Sequence, residues 1–386
     1  MNVQHEFIVN TRVLFGENLV DSLGDLIKED DGKKVFIVTD QGLIRTGIID
    51  RITNILDKAE IKYQLYSEIT PDPTSEILQA ALDVFLQDRF DLIIGIGGGS
   101  SIDSAKGIAI LDSNEGNIFD YEGANKIQKT KIPIIAIPTT AGTGAEVSAS
   151  CVITDSKNHY KVSIRSPYLC PKIALLDPTL ITSLPPLIAA STGMDALTHA
   201  IEAYVSTNSS PFTDALALKA IHELGEYLPS FVARRDNLEA ASHVLMASTS
   251  AGMAFTWARV ATVHAISHAL GGHCKVAHGI ANAMALPTVM EYSLIGNLSK
   301  YKEIAKALGQ EVTHLNNAEG AERAVIAVKK LNQALGIPKT LRELGIELTT
   351  EDSRKIAEDA LKSGITKCNP RDSSLEDLVH LIENIC

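Results

Sequence analysis

No run of about 18 apolar residues occurs anywhere in the chain, so no membrane-spanning helix is expected. The first six residues, Met1 to Glu6, lack a basic stretch followed by an apolar one, and no secretory signal is expected either. Basic residues are outnumbered, 35 against 47 acidic, and the net charge is −12. With no compensating basic stripe, that charge opposes a nucleic-acid partner. Cysteine is sparse: Cys151, Cys170, Cys274, Cys368 and Cys386 are odd in number, scattered, and never spaced C-x-x-C. This pattern fits a reducing cytoplasm better than a disulfide framework. No internal repeat and no low-complexity segment is present.

What remains is an ordinary globular composition, 45% hydrophobic and 21% charged, over 386 residues. That length suits two domains. Short β-branched runs and helical patterns alternate through the first half. Strands are expected at 34–39, 62–66, 91–96, 132–137, 151–154, 161–164 and 173–176, and helices at 18–28, 48–58, 74–86 and from 101. Residues 7–9 and 12–15 read as two short strands of a hairpin. The alternation predicts a mostly parallel α/β sheet. After Ser183-Leu184-Pro185-Pro186 helical periodicity takes over, interrupted at 209–211, 271–272, 336–338 and 369–371. The expected division is an α/β domain over 1–184 and an all-helical domain over 185–386.

The run Gly95-Ile96-Gly97-Gly98-Gly99-Ser100 joins a strand to a helix. Such a turn brings backbone N–H groups close to a phosphate at a helix N-terminus. It is not the strict dinucleotide fingerprint, because Ser100 stands at its last position and the run does not follow the first strand. It is not a P-loop, because no Gly-Lys-Ser/Thr ends it. A plain tight turn stays open as the other reading. Asp40 ends the first strong strand, where a carboxylate either accepts from an adenine ribose or sits in a solvated turn. In the first case it repels a 2′-phosphate and selects NAD over NADP. Thr139, Thr140 and Thr143 occupy a second loop after a strand, and Lys161 is either a cofactor contact or a solvated lysine.

Four of the eleven histidines, His264, His268, His273 and His278, fall within fifteen residues. His264 and His268 are four apart and share one helix face. Upstream, Asp195 and His199 are also four apart. With His264 and His278 they make one carboxylate and three imidazoles, enough for a divalent first-row metal such as Fe²⁺ or Zn²⁺. Cys274 reads as a soft ligand or a buried structural thiol, and Glu202 as a residue behind the ligands or a surface residue.

The chain resembles the iron-containing, or group III, alcohol dehydrogenases and, through them, the dehydroquinate synthase-like fold. The resemblance is carried by Gly97 to Ser100 with Asp103 and Lys106, by 137–148 (Ile-Pro-Thr-Thr-Ala-Gly-Thr-Gly-Ala-Glu-Val-Ser), by 193–204 (Gly-Met-Asp-Ala-Leu-Thr-His-Ala-Ile-Glu-Ala-Tyr) and by the histidine stretch 264–279. It spans nearly the whole chain. It implies an N-terminal dinucleotide domain, a C-terminal helical domain and a metal in the cleft between them. By it, Asp195, His199, His264 and His278 match metal ligands, and His268 matches a histidine close to substrate and nicotinamide. Asp40, Asp72, Gly98, Gly99, Ser100, Thr139, Thr140, Thr143, Lys161 and Leu180 match positions that contact NAD. The implied activity is hydride transfer between a small primary alcohol or diol, or the matching aldehyde, and NAD(H), in a homodimer or larger homo-oligomer. A hydroxyacid-oxoacid transhydrogenase, or another enzyme of this fold that retains its cofactor, is the alternative. Trp257, the only tryptophan, and Arg259 stand where many such proteins carry asparagine and glycine. Arg259 attracts an acidic substrate or makes a structural salt bridge. His273 has no role on these grounds.

Overall fold

The computed structural model describes residues 5–157 and 160–386. The chain divides into two units. One comprises Val9–Thr140 and Gly144–Ser183; the other comprises Leu184–Cys386 with Ala141–Thr143 and residues 5–8.

The first unit is built on a parallel sheet. Its strands are β1 (Arg12–Phe15), β2 (Lys34–Asp40), β3 (Lys62–Ile69), β4 (Leu92–Gly97), β5 (Gly123–Ala124), β6 (Ile134–Pro138), β7 (Ser150–Asp155), β8 (Tyr160–Arg165) and β9 (Ile173–Leu176). Six of them form one sheet in the order β1-β9-β6-β4-β2-β3. Side chains alternate across it, as the two-residue period of a strand requires. Val35 and Ile37 of β2 enter one buried apolar cluster, Phe36 and Val38 the other. Both faces are therefore covered, and the central strands read as unbroken apolar runs. The covering helices are α1 (Leu23–Glu29), α2 (Gln41–Ile44), α3 (Ile48–Lys58), α4 (Ser75–Phe85) and α5 (Gly99–Ser113). Thr74 caps α4 through a hydrogen bond from the Ile77 N–H. From β2 the chain passes outward to β3, then returns to place β4 on the other side of β2. The strand order reverses there, and the C-terminal ends of β2 and β4 lie at the kind of switch point where α/β sheets bind ligands.

The sheet unit departs from its local sequence pattern at two places. Residues 7–9 form no strand; β1 pairs in parallel with β9, more than 150 positions away in the chain, and not with a hairpin partner. The strands over 151–154 and 161–164 exist but leave the main sheet. As β7 and β8 they pair antiparallel, with β5 on the outer side of β8.

The second unit is helical, with no strand among its described residues. Its helices are α6 (Pro186–Val205), α7 (Pro211–Ala233), α8 (Leu238–Ala258), α9 (Thr262–Cys274), α10 (His278–Ser293), α11 (Leu298–Ala307), α12 (Asn317–Ala334), α13 (Thr350–Lys362) and α14 (Leu375–Glu383). α6 packs against α7, α8 and α10 and is buried without a break from Gly193 to Val205. Pro186 at its first position pre-sets the helical φ. The break expected at Gly271-Gly272 does not occur: α9 continues to Cys274, packed against α10 and α13, and stops at Lys275 in the left-handed region. Tertiary packing overrides the low helix propensity of the two glycines. No helix of the described chain is long and apolar enough to cross a membrane.

Candidate active site

Asp195, His199 and Glu202 follow one another at helical spacing on buried α6. His264 and His268 share a face of α9, and His278 opens α10. The ligand atoms of Asp195, His199 and His264 all lie within 4.8 Å of one another. His278 Nε2 is 3.6 Å from Asp195 Oδ1. The His199 and His264 rings stack at 4.5 Å between centroids, and Phe255 of α8 covers the His199 ring at 4.4 Å.

Each of the three imidazoles is oriented through its Nδ1. His199 Nδ1 donates to the Gly142 carbonyl at 3.2 Å. His264 Nδ1 donates to Glu202 Oε2 at 2.6 Å. His278 Nδ1 lies 3.0 Å from Ser267 Oγ, whose own hydroxyl donates to the His278 carbonyl. Acceptors at Nδ1 select the tautomer that leaves the Nε2 lone pair free, which is how metal-binding histidines are held. Burial and the neighbouring His199 hold the His264 pKa well below its ordinary value, so that ring is neutral. Gly142 reaches His199 because it lacks a side chain: a Cβ there would lie 2.7 Å from Thr192 Cβ and 2.8 Å from its carbonyl oxygen.

Glu202 is the residue behind the ligands, not a surface one. It accepts from the Ala261 and Val263 N–H groups at 2.8 and 2.6 Å, capping α9 while it orients His264. Burial pushes its pKa up to about 7 against the pull of these donors.

Asn282, which the sequence pattern does not single out, lies at the hub. Its Nδ2 is 2.6 Å from Asp195 Oδ1, 3.2 Å from His264 Nε2 and 3.1 Å from His278 Nε2. An NH₂ has two hydrogens and faces three acceptors. Its own Oδ1 is buried with no hydrogen-bond partner among the described residues. Lone pairs therefore exceed protons at this point. One carboxylate and three imidazoles arranged in this way fit a divalent first-row cation. The signal was present in the sequence, since Asn282 is one helical turn beyond His278.

His268 is half-buried; its ring stacks on His278 at 5.2 Å and meets His264 edge-on at 6.0 Å. His273 points elsewhere, its Nε2 2.7 Å from Asp359 Oδ2 of α13. Cys274 is not among the ligand atoms that gather.

In the sheet unit, Gly97 ends β4 with φ 144°, and a Cβ there would fall 2.7 Å from Ser101 Oγ. Gly98 caps α5 and Gly99 opens it, so the free N–H groups of a 15-residue helix face the turn. The Thr139 N–H donates to the Gly97 carbonyl at 3.0 Å, and Thr140 lies against Gly98. Asp40 caps α2 by accepting from the Leu43 N–H at 3.0 Å, and its Oδ2 lies 3.4 Å from where a Gly97 Cβ would be. Ser100 Oγ accepts from the Asp72 N–H at 3.3 Å, and Lys161 pairs with Asp72 at 2.6 Å. Leu180 is 2% exposed, in the apolar cluster with Ile96 and Ile137. Thr143 belongs with Gly142 to the helical unit. Lys106 is fully buried and donates to the Ser148 and Ser150 carbonyls at 3.0 and 2.8 Å, pinning the loop before β7 to α5.

Residues 10–178 match the family described as "Iron-containing alcohol dehydrogenase", and residues 189–386 match "Fe-containing alcohol dehydrogenase family, C-terminal". The chain belongs to the iron-containing alcohol dehydrogenase family. It is 37% identical over 378 residues to the NAD-dependent methanol dehydrogenase of Bacillus methanolicus, covering 98% of this chain and 99% of that one. Among solved structures, that of a 1,3-propanediol oxidoreductase superposes with a TM-score of 0.96 at 37% identity, covering 100% of both chains. Sulfoacetaldehyde reductase from Bifidobacterium kashiwanohense, solved in complex with NAD⁺, gives 0.89 at 27% identity, covering 100% of this chain and 99% of that one. The protein is thus a family oxidoreductase with a buried aspartate–histidine metal site.

Proposed function

We propose that this dehydrogenase interconverts a small primary alcohol or diol and its aldehyde, with NAD⁺ and NADH as the hydride carriers. The observation that carries this reading is the set of three histidines, each anchored at Nδ1, with His199 and His264 gathered on Asp195 and the His278 Nε2 3.6 Å from it. Asp195, His199, His264 and His278 would hold the metal. Iron(II) held by such ligands supplies Lewis-acid polarisation of an alcohol or carbonyl oxygen, and nicotinamide supplies the hydride chemistry. Glu202 and Ser267 keep the imidazoles in the ligating tautomer. His268, beside His278, takes the hydroxyl proton during oxidation and returns it during reduction. Gly98, Gly99 and Ser100 offer the α5 N-terminus to the cofactor pyrophosphate, while Thr139 and Thr140 flank that turn. Asp40 accepts from the adenine ribose and disfavours a 2′-phosphate. In the same reading Asp72, Lys161, Thr143 and Leu180 contact the cofactor.

The setting is a reducing cytoplasm, in keeping with five free thiols. The assembly is a homodimer or larger homo-oligomer, in keeping with β1 as an open edge of the main sheet. The test is NADH formation by the iron-loaded protein with 1,3-propanediol. One NADH released per aldehyde formed supports the reading. A single turnover without free NADH, with continued aldehyde formation only when an oxoacid is added to take up the hydride, would instead reveal a retained cofactor.

A further inference from the structure

Arg259 caps the C-terminus of α8 with φ 75° and ψ 158°. This backbone region is essentially reserved for glycine, and a bulky side chain held in it is a genuine outlier. Such residues persist where the surrounding structure imposes them, and they concentrate at binding sites. The position is imposed from both sides. The Arg259 N–H is bound to the Phe255 carbonyl at 2.8 Å, and two residues later the Ala261 N–H is bound to Glu202. Arg259 therefore lies one helical turn from Phe255, which covers the His199 ring, and five residues before His264.

The guanidinium is half-buried, and burial works against its charge. A structural salt bridge would account for it, but the structure shows none. Among the described residues no carboxylate lies within 4.0 Å of it. Its neighbour Ala258 accepts through its carbonyl from Ser206, which ends α6, the helix that carries Asp195, His199 and Glu202. A half-buried cation with no counter-ion, on a strained backbone beside the metal ligands, is an anion receptor in waiting.

We propose that Arg259 binds the charged end of the substrate, so that this dehydrogenase favours alcohols and aldehydes carrying a carboxylate at the end remote from the reacting carbon. The proposal rests on the dehydrogenase reading and narrows its substrate class. Arginine suits the task, since its planar fork binds a carboxylate through two parallel hydrogen bonds.

The test compares kcat/KM for 3-hydroxypropionate, 4-hydroxybutyrate and 5-hydroxypentanoate with that for diols of equal length, in the iron-loaded enzyme and in Arg259→Gly. Glycine suits the observed φ, so the variant keeps the backbone. Calorimetric titration of both proteins with the same compounds, without nicotinamide, gives a second readout. The expected result is a preference for at least one hydroxy acid that falls about tenfold or more in Arg259→Gly, the scale of a charge-assisted hydrogen bond. Hydroxy-acid binding should weaken in parallel by calorimetry. An acid-to-diol ratio that is the same in both proteins, or a wild type that favours every diol, would overturn the proposal. If no compound yields NADH, the dehydrogenase reading fails. Calorimetry then still decides on Arg259: binding lost in the variant supports the receptor, and equal binding refutes it.

Discussion

His264 and Glu202 are joined by a 2.6 Å hydrogen bond between Nδ1 and Oε2, with the two side chains 2% and 3% exposed. The same carboxylate takes the Ala261 and Val263 N–H groups, so the start of α9 and the orientation of a metal-binding ring depend on one residue. Glu202→Gln offers one acceptor oxygen and turns an NH₂ toward donors. The expected result is a metal affinity about 10- to 100-fold weaker, the usual effect of losing a carboxylate behind a ligating histidine. Competition with a chelator measures it. Unchanged affinity would reduce Glu202 to a helix cap.

His268→Ala separates proton transfer from metal binding. Turnover should fall by about 10²-fold, the lower range for loss of a general acid–base, while metal content stays at the wild-type level. Depletion of metal in this variant would make His268 a ligand.

Gly97→Ala tests the glycine turn alone. The added Cβ meets Ser101 Oγ at 2.7 Å, and φ 144° strains any side chain. The strain is on the order of 1–3 kcal/mol. NADH affinity, read from its fluorescence, should drop about tenfold or more if the α5 N-terminus distorts. Metal content should not change. An undiminished NADH affinity would show that the cofactor does not use this turn.

Arg259→Gly should leave thermal stability unchanged or raised. It relieves strain of about 1–3 kcal/mol and loses about 0.5–1 kcal/mol to glycine's greater freedom in the unfolded chain. A clear fall in Tm by calorimetry would show that the arginine side chain holds the helical unit together.

Much of this architecture is legible in the residue pattern, because buried parallel strands are apolar runs and their connecting helices carry caps. Thr74 and the strand 173–176 show both signals plainly. The failures are tertiary. Phe7 stacks on Phe212 at 5.6 Å, and that long-range contact occupies a segment whose local pattern suggests a strand. α9 runs through two glycines because its neighbours hold it. In the site, the four-residue spacing of Asp195 and His199 is a local signal, and the structure brings both side chains together with His264. Asn282 carries the same spacing from His278, but an amide does not advertise itself as a ligand-site residue. His273 resembles its neighbours in sequence, and only the packing of α9 against α13 sends it to Asp359. The left-handed backbone of Arg259 leaves no trace in composition at all.

We propose that Asp195, His199, His264 and His278 form a metal site that serves alcohol oxidation. Anaerobic reconstitution with Fe²⁺, followed by desalting and elemental analysis of wild type and Asp195→Ala, tests it most directly. The expected result is about one iron per chain in the wild type, together with NADH formation from 1,3-propanediol, and a folded, inactive variant with little iron. Equal iron in both proteins, or full activity in the variant, would contradict it.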